Sequence, residues 1–226
     1  MTEREKVLEA FYNIVTKSKQ NMFDLHASER TRYFTIVLEN MFQLHNASAV
    51  MRSCDCFGVQ DLHVIEDRNE YKVDREIAMG AGKWVNLHQY TSEHATHECL
   101  SQLKSKGYKI IATTPHESNI TIHDLDLSQK TALVFGTELE GLTQEALDFA
   151  DGYVHLPMYG FTESFNVSVS AALTMHTVRQ RLEESNLNWK LSKNEQIETK
   201  IEWCKNILRN GDGIEKEIIK KIRAKK

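Results

Sequence analysis

Residues 132–142 read Ala132-Leu133-Val134-Phe135-Gly136-Thr137-Glu138-Leu139-Glu140-Gly141-Leu142, and this stretch decides the architecture. Four apolar residues run without alternation into a glycine. That is the pattern of a short strand buried on both faces, as in a parallel sheet covered by helices. Working outward, Tyr108-Lys109-Ile110-Ile111-Ala112-Thr113 is a second strand, stopped at Thr114-Pro115. Tyr153-Val154-His155-Leu156 is a third, stopped by Pro157. Phe34-Thr35-Ile36-Val37-Leu38 and Leu62-His63-Val64-Ile65 are two more. Helical spacing separates them: residues 46–57 with Asn46 as N-cap and Gly58 beyond the end, 92–106 up to Gly107, 143–150 capped by Thr143, and a long helix over 166–184. Strands alternating with helices predict an α/β fold with a mostly parallel sheet and helices on both faces. In such sheets ligands sit at the carboxyl ends of the strands, which points to the segments after Thr113, Phe135 and Leu156.

The two ends read differently. Residues 3–18 have helical apolar spacing at Val7, Leu8, Phe11, Ile14 and Val15. Polar helices are predicted near 195–209 and 213–223. Three segments result: an N-terminal helical extension over 1–30, a central domain over 31–185, and a C-terminal helical extension over 186–226. The chain of 226 residues has a net charge of -4, but residues 186–226 hold 11 Lys and Arg against 6 Asp and Glu. The tail carries Lys216, Lys220, Lys221, Arg223, Lys225 and Lys226. It reads either as a solvated helix face or as a phosphate-contacting arm.

Composition excludes several classes. Hydrophobic residues at 41% and charged residues at 27% are ordinary globular usage, not that of a disordered chain. No apolar run approaches the roughly 18 residues of a membrane span, and the opening residues lack a signal-peptide pattern. Cys54, Cys56, Cys99 and Cys204 have no zinc spacing and read as small buried thiols of a reduced cytosol. His94 and His97 find no third ligand. There is no dinucleotide glycine motif after the first strand, no Walker A and no G-x-S-x-G.

Three stretches carry chemistry. His45-Asn46-Ala47-Ser48-Ala49-Val50-Met51-Arg52 follows the 34–38 strand, and Arg52 is the one charged side chain in the first two turns. It reads as an ion pair with Asp55 at i+3, or as an anion clamp using its planar fork. Gly136-Thr137-Glu138-Leu139-Glu140-Gly141 places glycines where backbone approaches a ligand closely, with Glu138 as a loop carboxylate. Leu156-Pro157-Met158 begins a long loop that ends in Ser164-Phe165-Asn166 and a helix of small residues; Ser164 or Asn166 is its cap.

In this order and at these separations the three stretches resemble the signature motifs of the SpoU/TrmH family of RNA 2′-O-ribose methyltransferases, over residues 34 to 180. The resemblance implies a dimeric α/β fold whose C-terminal part forms a deep trefoil knot. It implies S-adenosylmethionine as methyl donor, with no metal. It places the catalytic arginine on Arg52 with Asn46, Glu138, Ser164 and Asn166 around it. The donor would meet Thr113, Gly136, Leu156, Met158 and Phe165; the family more often has a small aliphatic residue where Phe165 stands. Lys19 stands where many members have an arginine that the partner subunit lends to the site. The layout, with helical extensions at both ends and no large added domain, resembles the tRNA guanosine methyltransferases of the family, which act on D-loop position 18 in the cytoplasm. The basic tail then becomes a tRNA contact through Lys216, Lys220, Lys221 and Arg223. An rRNA ribose or the tRNA wobble nucleotide is an alternative target. A non-catalytic RNA-binding dimer is the alternative of a different class.

Overall fold

The computed structural model describes residues 1–40, 44–66, 78, 80–115 and 120–224. They fall into two compact units, Arg32–Trp189 and the pair of chain ends Met1–Thr31 with Lys190–Lys226.

The central unit holds six parallel strands: β1 (Phe34–Glu39), β2 (Asp61–Ile65), β3 (Asn86–Tyr90), β4 (Lys109–Thr113), β5 (Thr131–Phe135) and β6 (Gly152–Val154). Their order across the sheet is β3-β2-β1-β5-β4-β6. Both β1 and β5 are buried along their whole length, as their apolar runs require. Register pairs Val37 with Val134, and Val134 with Ala112. Side-chain alternation sends Phe34, Ile36, Leu38, Leu133 and Phe135 to one face. There they meet the helix over Leu44–Phe57 and the helix over Val167–Glu183. Val37, Ala132 and Val134 point the other way, to Cys99, Leu100 and Leu103 of the helix over Ala95–Ser105 and to Ala146 of the helix over Gln144–Phe149. The same alternation leaves Glu39 buried. Its carboxylate accepts from the Thr96 hydroxyl at 2.9 Å, and from the Thr143 N–H at 2.9 Å and hydroxyl at 2.7 Å. The charge thus sits at the N-terminus of the Gln144–Phe149 helix, where the helix dipole favours it.

In chain order the helices are α1 (Glu3–Tyr12), α2 (Lys17–Ala27), α3 (Leu44–Phe57), α4 (Ala95–Ser105), α5 (Gln144–Phe149), α6 (Val167–Glu183), α7 (Lys193–Ile207) and α8 (Gly211–Arg223). Several expectations shift. The helix expected over 3–18 ends at Tyr12, and Thr16 caps a new one. Asn46 lies inside α3, whose first residue is Leu44, and so is not its N-cap. Cys56 is exposed rather than buried. Strand β3 was not expected from the sequence. Its residues Asn86, His88 and Tyr90 are polar because that face of the edge carries a hydrogen-bonded cluster. The buried Asp61 carboxylate accepts from Arg32 Nε at 2.8 Å and Asn86 Nδ2 at 2.9 Å, and lies 3.1 Å from His88 Nε2. The His63 ring stacks on His88 with centroids 4.6 Å apart.

The chain ends, foreseen as separate extensions, pack together. Val7, Leu8 and Phe11 of α1 and Phe23 of α2 are buried with Ile197, Ile201, Trp203 and Cys204 of α7. The Phe23 and Trp203 rings are 5.6 Å apart. Many of the cations in this unit are paired within it. Arg4 binds Glu198 and Glu215, Lys200 binds Asp24, Lys205 binds Glu202, Asp212 and Glu215, and Lys190 binds Glu29. Lys225 and Lys226 of the basic tail lie outside the described residues.

Burial pushes the His63 imidazole down to about 3, helped by His88 and Lys106 and opposed by Asp61. The unfolded chain therefore takes up this proton below about pH 6.5 while the folded chain does not. Stability should fall as pH drops from 6.5 toward 4, with a slope of up to about 1.4 kcal/mol per pH unit from this one site. The Asp61 carboxyl is held below its usual range and acts only under about pH 4. His63→Gln should flatten the upper window, read by urea unfolding at pH 7 and pH 5. An unchanged pH slope would show that His63 titrates alike in both states.

Candidate active site

The site forms where β4, β5 and β6 end. A cavity of about 410 Å³ opens there, within the range of small-molecule sites. All five expected donor-binding residues line it: Thr113, Gly136, Leu156, Met158 and Phe165. Thr113 is locked by its hydroxyl, which donates to the Val134 carbonyl at 2.8 Å. Thr137 and Gly141 exchange backbone hydrogen bonds of 2.9 and 3.1 Å, so residues 137–141 fold into a tight loop. Gly141 takes φ +70 to close it. A side chain on Gly136 would meet the Gly141 carbonyl carbon and oxygen at 2.2 Å. This close backbone approach is what the two glycines are for.

The chemical core lies beside that loop. Glu138 Oε1 accepts from Asn166 Nδ2 at 2.6 Å and from Asn46 Nδ2 at 3.2 Å, with the Val167 N–H at 3.4 Å. Asn166 Nδ2 also donates to Asn46 Oδ1 at 3.1 Å. Asn166 Oδ1 accepts the Ser168 N–H at 2.9 Å, so Asn166 caps α6 and joins this cluster with the same side chain. Three residues from the three sequence stretches are thus brought together. Ser164 lines the cavity and is exposed. Arg52 is exposed on α3 and forms no ion pair among the described residues; the Asp55 pairing that its spacing allowed is not made. Arg52, Asn46 and Asn166 are not among the cavity-lining residues.

The remaining expected residues lie in the helical unit. Lys19 is on α2 and the other four on α8. Arg223 pairs with Glu3 at 3.0 Å and Lys221 with Glu217 at 3.9 Å. Lys216 and Lys220 are exposed and form no ion pair among the described residues.

Sequence reasoning missed part of the cavity wall. Leu142, Leu147, His155, Glu163 and Thr174 also line it. The strand pattern at Val154-His155 could have flagged His155, since alternate residues face opposite sides. Among the described residues the acidic lining is Glu138, Glu140 and Glu163, and no Lys or Arg joins it. Such a wall favours a ligand bearing positive charge.

Gly136→Ala should cost about 2 kcal/mol from the forced loop shift, lowering Tm by roughly 4–8 °C. Thermal unfolding of the variant checks this. A melting curve that matches the parent would mean that the 136–141 loop yields freely.

A family model described as the SpoU rRNA Methylase family matches residues 33–176. A protein of Borreliella burgdorferi named tRNA (guanosine(18)-2'-O)-methyltransferase is 36% identical over 201 residues, covering 89% of this chain and 91% of its own. The solved A. aeolicus TrmH/SpoU tRNA modifying enzyme superposes with a TM-score of 0.75 at 25% identity, covering 85% of this chain and all of that one. The SpoU methyltransferase AviRb of Streptomyces viridochromogenes, solved with AdoMet, shares the fold with a TM-score of 0.62 at 19% identity, over 69% of this chain and 63% of its own. With its sheet, its strand-end cavity and a match over most of its length, the chain belongs to the SpoU methylase family.

Proposed function

We propose that the protein transfers a methyl group from S-adenosylmethionine to the ribose 2′-hydroxyl of the D-loop guanosine, position 18, of tRNA. The observation that carries this reading is the Asn46–Glu138–Asn166 cluster beside a cavity with an acidic rim, in a chain whose relative bears that activity in its name. The cavity suits the donor: its volume fits, its charged lining is acidic, and the 136–141 backbone folds back tightly at its edge. Bound there, the donor supplies a methyl group on a sulfonium, which is already a good electrophile.

The chain's own task is then to align a poor nucleophile and let one proton leave. An arginine stays protonated in nearly any protein setting, so Arg52 is no base. We assign it the phosphate next to the target ribose, which its planar fork suits. That phosphate, or water, takes the hydroxyl proton. Glu138 Oε1 already faces two amides and the Val167 N–H, so its role is to hold Asn46 and Asn166 in place. Ser164, exposed at the cavity, is left to contact the incoming nucleotide.

Two wider features belong to the same reading. The first is the knot. Val154 O accepts from the Thr114 N–H at 3.0 Å, His155 N–H donates to Ile120 O at 3.1 Å, and Ile122 N–H donates to His155 O at 3.0 Å. The 154–155 segment thus pairs with Thr114, Ile120 and Ile122, strand neighbours beside which the family's knot would close. The second is a homodimer, supported by the exposed Val169 and Leu173 on α6. A partner subunit could then be met by Lys19. The cytoplasm, where tRNA is modified, is the expected place of work.

Arg52→Ala should lower methyl transfer about 100-fold or more while leaving donor affinity in place. Transfer of labelled methyl to tRNA and calorimetry with the donor test the two halves. Substantial residual turnover would remove Arg52 from the mechanism.

The tRNA grip is tested by charge removal rather than truncation, because deleting 190–226 would strip α1 and α2 of their packing partner α7. Lys216→Ala with Lys220→Ala should weaken tRNA binding and lower the slope of log affinity against log salt by about one per lysine. An unchanged slope would take these two lysines off the phosphates.

A further inference from the structure

We propose that Glu39 is a positioning residue for methyl transfer, whose buried carboxylate fixes the far end of the loop that carries Glu138. The inference rests on the reading of this site as a methyltransferase centre.

Glu39 is the last residue of β1 and is 1% exposed. A carboxylate is costly there, because burial strips its hydration and only well-made hydrogen bonds offset the loss. Its partners among the described residues divide between the two oxygens. Oε1 accepts from the Thr96 hydroxyl at 2.9 Å and the Thr143 hydroxyl at 2.7 Å; Oε2 accepts from the Thr143 N–H at 2.9 Å. Thr143 directly follows Leu142, which ends the unbroken run of cavity-lining residues that starts at Phe135.

The start of that run is tied to β1 as well. Register pairs Phe135 with Leu38, the residue before Glu39. The last two residues of β1 thus hold both ends of the 136–142 loop. Between those ends the loop is closed on itself by the Thr137–Gly141 pair, so it moves as one body. A body held at one end can swing, and a second fixed point removes that freedom. The swing would matter here. Glu138 meets Asn166 at 2.6 Å and Asn46 at 3.2 Å, and such bonds weaken steeply off geometry. A displacement of about 1 Å near reacting groups can slow a reaction about 100-fold.

The test uses the full chain, labelled methyl transfer at saturating donor and tRNA, and hydrogen exchange over residues 136–143. Glu39→Leu keeps the bulk and loses all three bonds. It should lower turnover about tenfold or more, speed exchange of the loop and keep the affinity for tRNA. Glu39→Gln can rebuild the set: its amide oxygen accepts the Thr143 N–H and its amide nitrogen donates to the two hydroxyls. It should return turnover and exchange close to those of the parent. A merely structural role gives a folded leucine variant with a lower melting temperature and parent turnover, and that result overturns the proposal. A glutamine variant as slow as the leucine one overturns it too. If the leucine variant does not fold, two milder changes decide. Thr143→Val, on the loop side, should slow turnover about threefold or more and speed loop exchange; Thr96→Val, on the α4 side, should do neither. Equal effects of these two would overturn the proposal. A parent protein that transfers no methyl would instead bring down the methyltransferase reading and this inference with it, while loop exchange would still report whether Glu39 holds the loop.

Discussion

The Glu138 carboxylate is the point on which the site depends. It reaches Asn46 and Asn166, side chains 120 positions apart in sequence, and the Val167 N–H at the start of α6. α3 and α6 lie on the same face of the sheet and share its core through Val50, Met51 and Cys54 on one side and Ala171, Met175 and Val178 on the other. Apolar packing of this kind is not directional. It brings the two helices together but does not fix the register of their first turns. Hydrogen bonds do, because they weaken steeply off geometry. Asn46 is buried, so loss of the Glu138 acceptor would remove a hydrogen bond from a place that water reaches poorly. The cluster therefore sets where Arg52, six residues on from Asn46, can stand relative to the loop that begins at Gly136.

Much of the fold could be read from the sequence, and the reason is burial. β1 and β5 are covered on both faces, so the runs Ile36-Val37-Leu38 and Ala132-Leu133-Val134-Phe135 are apolar without alternation and announce themselves. β3 could not be read, because an edge strand beside Asp61 satisfies polar side chains instead of burying apolar ones. The break between α1 and α2 was equally hidden: Ile14 and Val15 continue the apolar spacing, but Thr16 caps a second helix. Asn46 is a good capping residue, but it is the third residue of α3, past the cap position.

The site was legible in its parts and not in its assembly. Glu138 and Asn166 stand out beside glycines and at a helix start, where local rules apply. That one carboxylate oxygen serves both amides is a tertiary fact with no local signal. Asn166 shows why weighing a structural role against a functional one can mislead. It caps α6 through Oδ1 and joins the cluster through Nδ2, so one side chain makes both sets of contacts.

Charge gives the last step. The net positive charge of residues 186–226 suggests a broad basic surface, but the ion pairs leave a narrower one. Lys190, Lys200, Lys205 and Arg223 all face carboxylates of their own unit. A paired cation is a weaker phosphate contact, since it must give up one partner to take another. Lys216 and Lys220, one helical turn apart on α8, form no ion pair among the described residues and so carry less of that cost. Among its described residues the cavity in the central unit presents carboxylates and no Lys or Arg. The proposed reaction brings together a cationic donor and a polyanionic acceptor, and these two demands cannot be met by one surface of one sign. Under the proposed reaction the acidic rim would attract the donor, and the lysines of the helical unit, unpaired among the described residues, would attract the acceptor.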